Sequence, residues 1–283
     1  MDKLLFDSHA HINYEDYSEK ERSEVMARIE SSPVAYVTDV GFDIESSKQA
    51  ITDAAEKKWC YAAAGVHPHY AGSFTEADLS ELREMIKSPK IAALGEIGLD
   101  FYRDFSPRDM QREVFRKQLK LALEEGLPVI IHDRESAGES IGILKEEGAF
   151  SEARKLAFPP NPGTGIPDAR ILLHCFSGSA EQALEYVKLG CTISIAGPVT
   201  YKNNKKTVRV AEEIPLAHML IETDSPYLTP EPKRGRPNEP AFVEYVARKI
   251  AEIRDISYEE LASATLANAM RFFGIKNNEP DYR

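Results

Sequence analysis

Cysteine is scarce in this 283-residue chain: Cys60, Cys175 and Cys191 are three in number, far apart and without a C-x-x-C pair. That pattern excludes a disulfide framework or a thiolate zinc knuckle, and the three are expected to be buried apolar thiols. Long apolar runs are missing too. No stretch approaches the 18 or so residues of a membrane span, and no basic-then-apolar leader opens the chain, so the expectation is a soluble, cytoplasmic protein with no membrane partner. Positive charge is in deficit, with 35 Lys and Arg against 46 Asp and Glu and a net charge of -11. Broad nonspecific binding to nucleic acid, which is driven by neutralising phosphates, is disfavoured; a local basic face is not. Low complexity is confined to "FPPNPGTGIP", 158–167, and neither an internal repeat nor a break in composition marks a second domain. The length admits two domains, but α/β barrels of about 250 residues form one unit, and a single domain over 1–283 is expected.

What the chain does have is short apolar runs. "KLLFDSH", "VAYVTDVG", "CYAAAGVH", "KIAALGEIG", "LPVIIHD", "ARILLHCF", "CTISIAGP" and "HMLIETDSP" are eight, rich in Val, Ile, Leu and Ala with little polar alternation. This is the composition of parallel strands buried on both faces, and the intervals carry helical patterns such as "FRKQLKLALEEG". Strand and helix alternating eight times predict an α/β fold, a (β/α)8 TIM barrel, with an open doubly wound sheet as the competing layout. Residues 239–273 read as two further C-terminal helices, the second starting near Ser257 with Glu259 and Glu260 in its first turn. The Pro/Gly-rich stretch precedes a strand, which in a barrel places it on the N-terminal face, away from a catalytic mouth.

Polar residues capable of binding metal gather at the C-terminal ends of these runs. His9 and His11 end the first, His67 and His69 the third, Glu96 the fourth, His132 the fifth, His174 the sixth and Asp224 the eighth; of the seven histidines only His218 falls elsewhere. An isolated H-x-H is more often a surface strand with two solvated imidazoles. In a barrel, however, these ends converge on one face, where active sites are assembled from several strands. Four histidines and two carboxylates exceed what one zinc with an open position needs, so two divalent ions fit better, with Glu96 between the histidine pairs as the bridge. Zinc, manganese or magnesium are the candidates, imidazole-rich ligation favouring the first two.

The segments "DSHAHI", "GVHPH", "GEIGLDFY", "QREVFRKQLKLALEEGLPVIIHDR", "HCFSG", "ISIAGPVT" and "IETDSPYLTPEPKRGRPNEP" resemble the TatD family of metal-dependent nucleases, within the amidohydrolase superfamily, in order from about residue 4 to residue 273. The resemblance implies His9, His11 and Asp224 on one metal, His132 and His174 on the other, and Glu96 between them. It also implies a reaction: hydrolysis of phosphodiester bonds in DNA, and in RNA, from the 3′ end of single strands. Two departures stand out. The interval between His132 and His174 carries extra residues, and "IHDRESAGES" is not the usual form after the fifth strand, which bears on substrate preference.

Further roles follow from position. Asp224, touching a metal and facing the attacking water, suits proton transfer, and Glu96 is catalytic through the bridge. His67 and His69 could bind a phosphate oxygen or support the ligands; Arg134, Arg234 and Arg236 could grip phosphates or sit in ion pairs, the last two with Glu231 and Glu239. Glu222, one layer below Asp224, needs a buried partner. Cys175 is expected to face the helices. Lys202, Lys205, Lys206 and Lys233 add to a basic mouth opposed by the acidic "NYEDYSEKE", while Tyr14, Phe101, Tyr102 and Tyr201 are candidates for stacking on bases. The competing functions are hydrolysis of a C–N or C–O bond by a lactonase, amidohydrolase, deaminase or aminoacyl-tRNA deacylase, and noncatalytic metal storage. Sequence leaves the oligomeric state open, a monomer being compatible.

Overall fold

A computed structural model describes residues 2–136 and 138–276. Met1, Ala137 and residues 277–283 of the expected 1–283 domain lie outside the described residues. Each apolar run forms a strand: β1 (Leu5–Ala10), β2 (Val34–Val40), β3 (Cys60–Ala64), β4 (Ile91–Asp100), β5 (Val129–Arg134), β6 (Ile171–Leu173), β7 (Cys191–Ile195) and β8 (Met219–Ile221). They pair in parallel in chain order. A doubly wound sheet would reverse its order at a switch point; this one does not. Its two ends meet instead, where Ala10 bridges Ser225, the His11 amide donates to the Ser225 carbonyl at 2.8 Å and the Asp224 amide donates to the His9 carbonyl at 2.9 Å. The fold is a TIM barrel, closed by the segments that carry His9, His11 and Asp224.

Helices α1 (Glu19–Ser31), α2 (Ile44–Glu56), α3 (Glu76–Met85), α4 (Arg108–Glu124), α5 (Glu139–Glu146), α6 (Glu152–Leu156), α7 (Ala180–Lys188) and α8 (Lys205–Glu213) fill the intervals. Their ends are written in the sequence. Ser18 with Glu21 forms a capping box at α1, and α4 buries Val114, Phe115, Leu119, Leu121 and Ala122 at helical spacing against the sheet. The two C-terminal helices are α9 (Val243–Arg254) and α10 (Tyr258–Phe273), the latter capped by Ser257. Phe272 and Phe273 of α10 join Phe6, Ala63, Ile130, Leu172 and Leu220 in one apolar cluster, with Phe6 and Phe273 stacked at 5.4 Å.

Alternation then sets what lies above that layer. Side chains two apart on a strand share a face, so Ile130 carries His132 above it, Leu172 carries His174, and Leu220 carries Glu222. The Pro/Gly-rich segment lies on the opposite, N-terminal face, as expected. Asn161 Nδ2 donates to the Ala217 carbonyl at 2.7 Å, and Thr164 bonds the His218 ring at 2.9 Å just before β8. His218 is thus a structural histidine of the N-terminal face.

Candidate active site

Of the eight residues expected at the strand ends, His9, His11, His67, His132 and His174 surround Glu96, Asp224 faces His9 and His11, and His69 is bonded to Asp100 instead. One carboxylate oxygen of Glu96, Oε1, lies 2.6 Å from His132 Nδ1, 2.6 Å from His174 Nε2 and 3.6 Å from His67 Nε2; the other, Oε2, lies 3.4 Å from His9 Nε2 and 3.9 Å from His11 Nε2. Asp224 Oδ1 faces the second group, 3.5 Å from His11 Nε2 and 3.9 Å from His9 Nε2. Glu96 reaches this central place through an irregularity. The β4–β5 register shifts between Leu94 and Ile97, a bulge that re-aims the side chain. Gly98 makes the close approach of the two strands possible: its φ is +144°, and a Cβ there would stand 2.0 Å from the His132 carbonyl oxygen. Asp224 is itself in the left-handed region at φ 54°, a strained conformation held by its bond to the His9 carbonyl.

Hydrogen bonds decide which ring nitrogen each histidine offers. His11 Nδ1 lies 2.8 Å from the Val40 carbonyl and must donate to it, which turns Nε2 toward Asp224 and Glu96. His174 points Nδ1 at Glu222, 3.5 Å away, and His132 points Nε2 at Asp100, 3.4 Å away, without a hydrogen bond in either case, while His174 Nε2 and His132 Nδ1 turn to Glu96. An outer carboxylate or carbonyl fixing the tautomer is the arrangement that metal-binding histidines use. His67 is wired the other way. Its Nδ1 accepts from the His69 amide at 3.1 Å, so a neutral ring carries its proton on Nε2 and acts as a donor, not a ligand. Burial, helped by the charge of His132, pushes His67 well below the ordinary imidazole value and keeps it neutral.

His9 tests whether these residues fit a metal. It is fully buried, and neither ring nitrogen has a hydrogen-bond partner. A buried polar group left this way is costly, and a cation between His9 and the carboxylates would satisfy Nε2, the nitrogen that faces Glu96 and Asp224. Three overlapping sets, His9 with His174 and Asp224, His9 with His11 and Glu96, and His67 with Glu96 and His132, each bring three ligand atoms within 4.8 Å of one another. Burial alone would raise the pKa of Glu96, but the charge of His174 and the bonds from His132 and His174 hold it well below the usual carboxylate range. Asp224 is depressed in the same way, its burial outweighed by the bond from His11 and the charges of His174 and His9. Both are available as anions.

A supporting layer of aspartates escaped the sequence analysis. Asp100 Oδ2 holds His69 Nε2 at 2.8 Å as well as His132, while Oδ1 accepts from the Tyr102 and Arg103 amides. Asp7 receives the Thr223 amide at 2.8 Å and its hydroxyl at 2.6 Å, and Asp39 receives the Ile12 amide at 2.8 Å. They tie down the chain beside His9, His11 and Asp224. Position in "GEIGLD" at a strand end could have flagged Asp100. Asp7 and Asp39 lie within strands and gave no such signal. Glu222 finds a buried partner in the Ser194 hydroxyl, which donates to Oε2, while Oε1 faces His174 Nδ1 at 3.5 Å without a hydrogen bond.

At the rim several expectations change. Cys175 does not sit among the helices: it is half-buried at φ 44°, so strand alternation ends at His174, and burial with the charges of Asp224, Glu222 and Glu96 pushes its thiol up. Phe101 is buried beneath Arg108 and Arg112 and offers no face to a base. Tyr70, Phe105 and Tyr227 are exposed instead, as is Tyr102. The Arg134 guanidinium lies 4.1 Å over the Tyr102 ring and that of Arg234 4.2 Å over Tyr201. Among the described residues neither Arg234 nor Arg236 makes an ion pair, and Glu239 is taken by Arg28 at 2.5 Å. Lys233 turns away from the mouth, toward Phe242 and Tyr245.

Residues 6–274 match the family model described as TatD related DNase. The chain belongs to the TatD family. It is 44% identical over 272 residues to a Bacillus subtilis protein named uncharacterized metal-dependent hydrolase YabD, covering 96% of this chain and all of that one. A protein of Erwinia amylovora named 3′-5′ ssDNA/RNA exonuclease TatD is 33% identical over 262 residues, 90% of this chain and 95% of its own length. Among solved structures, the TatD homologue YjjV of Escherichia coli K12 superposes with a TM-score of 0.84 at 29% identity over 98% of this chain and 100% of that one. This TatD protein is therefore an enzyme, a metal-dependent hydrolase. No helix among the described residues is long and apolar enough to cross a membrane.

Proposed function

We propose that the protein hydrolyses phosphodiester bonds of single-stranded DNA or RNA, releasing nucleotides from the 3′ end, with two divalent metal ions. The observation that carries this reading is the division of Glu96: Oε1 serves His132 and His174, Oε2 serves His9 and His11. A shared carboxylate between two imidazole groups suits a pair of cations, and relatives named as single-strand exonucleases supply the substrate class. When bound, the ions supply the positive charge that acidifies a water and offsets charge on the phosphate.

The rest falls to the side chains. His9, His11 and Asp224 hold one ion and His132 and His174 the other. Asp224, kept ionised, accepts the proton of the attacking water and delivers it to the leaving oxygen. His67 donates its Nε2 proton to a nonbridging oxygen, and His69 is held in place by Asp100. Arg134, Arg234 and Arg236 bind neighbouring phosphates, the first two from their aromatic seats. The test is a side-by-side assay of metal-loaded protein on 5′-labelled single strands of DNA and RNA, a lactone and an aminoacyl-tRNA. A ladder shortening from the 3′ end is expected; turnover of the lactone or aminoacyl-tRNA alone would refute it.

A further inference from the structure

Beside the metal-ligand cluster, between the segment that follows β1 and the start of α2, lies a cavity of about 200 Å3. Tyr14, Tyr17 and Phe42 give it aromatic walls, and Asn13, Ser46 and Gln49 give it polar ones. It adjoins the site directly: the Phe42 ring is 5.7 Å from that of His11, and Tyr227 stands 6.2 Å from His11 and 5.8 Å from Tyr14.

Two features say what the cavity takes. Asn13 is 5% exposed, and its Nδ2 donates to the Val40 and Ser46 carbonyls at 2.9 and 3.2 Å, but its Oδ1 has no partner. That oxygen is sealed from solvent within the wall, so the ligand is decided by the charge and size of the cavity. Charge argues against phosphate as that ligand. Glu15, Asp43 and Glu45 line the cavity against one guanidinium, that of Arg22, which already lies 3.8 Å from Asp53. Size argues against a whole nucleotide, because the volume is below the roughly 300–1,000 Å3 of sites for drug-sized ligands. A flat, uncharged ring that stacks on the aromatic walls meets both conditions.

We infer that this cavity is a base-binding subsite, holding the nucleobase of a nucleotide that flanks the scissile phosphate, stacked on Tyr14 and Phe42. The inference rests on the nuclease reading above. It gives the enzyme a handle on unpaired bases that lies apart from the phosphate-binding arginines, and a base in a duplex cannot enter it. Stacking of one base on an aromatic ring is sequence-tolerant, so the subsite selects an unpaired base and not a particular sequence.

The experiment has two arms. In the first, wild type, Tyr14→Ala and Tyr14→Phe hydrolyse single strands carrying either a natural or an abasic nucleotide at the terminal or the penultimate position. For wild type and Tyr14→Phe, one abasic position is expected to lower kcat/KM about tenfold or more; in Tyr14→Ala this ratio falls toward one. An equal rate on natural and abasic strands in wild type, or a ratio undiminished in Tyr14→Ala, overturns the subsite. In the second arm, saturation-transfer NMR with free adenosine and cytidine needs no turnover. Stronger transfer to base than to ribose protons, lost in Tyr14→Ala and kept in Tyr14→Phe, supports it; no transfer to the base overturns it. If no strand is cleaved at all, the nuclease reading fails and the NMR arm still decides what the cavity binds.

Discussion

Glu96 touches every histidine group of the centre, so its charge is the one whose loss should be felt most widely. Glu96→Gln is expected to lower metal content below that of the wild type, measured by plasma emission, and to abolish most hydrolysis; two ions retained at near-normal rate would remove Glu96 from the bridge. Asp224→Asn should keep the fold and at least one ion while lowering kcat by about 100-fold, the scale of a lost general acid or base. A rate within about threefold of the wild type would leave Asp224 outside proton transfer. Away from the centre, Asp39 and Asp53 form a buried acidic pair, each raised above the ordinary 3.8 by burial, Asp39 further by the charge of Asp53. The folded state therefore binds these protons more tightly than the unfolded chain. The stability so gained is fully present below the ordinary value and is lost as pH rises through the raised folded values. Asp53→Asn removes part of that dependence, so its urea midpoint relative to wild type should climb from acid toward neutral pH, and parallel profiles would contradict the coupling.

The elements were legible to different degrees, for reasons that lie in strand geometry. Parallel strands buried on both faces must be apolar runs, so all eight were visible, and histidines at their ends were visible because polarity there is otherwise unexplained. Alternation holds at the ends of β5, β6 and β8, where His132, His174 and Glu222 stand above Ile130, Leu172 and Leu220 of the apolar layer. It failed wherever the backbone left the strand. The left-handed turn at Cys175 and the bulge around Glu96 follow from tertiary packing, and Asp7 and Asp39 look like ordinary strand residues until their amide partners across the barrel are known. Gly98 is where this matters most. Gly98→Ala should cost about 3 kcal/mol in urea unfolding and weaken metal binding, since either β4 or the strand carrying His132 must move; an unchanged midpoint would mean that the two strands can separate freely. Deleting 159–165 should lower stability by removing the Asn161 and Thr164 hydrogen bonds while kcat and KM stay as they were, because the segment lies on the face opposite the site.

At the scale of the whole molecule, a chain of net charge -11 works on a polyanion only if its few cations are placed where the substrate lies. Arg134 and Arg234 rest on tyrosines at the mouth without carboxylate partners among the described residues, so their charge is open to a substrate. Replacing Arg234 and Arg236 by Ala should raise KM for oligonucleotides and flatten the salt dependence of single-strand binding by roughly 0.7 in log-log slope for each phosphate no longer neutralised. An unchanged slope would assign phosphate binding to other side chains. The central claim, that two cations shared by Glu96 act on strand ends, is tested most directly by titrating metal-free protein with zinc or manganese while following a 5′-labelled single strand. Cleavage from the 3′ end should rise to a plateau at two ions per chain. A plateau at one ion, or full occupancy without cleavage of the strand, would contradict the account.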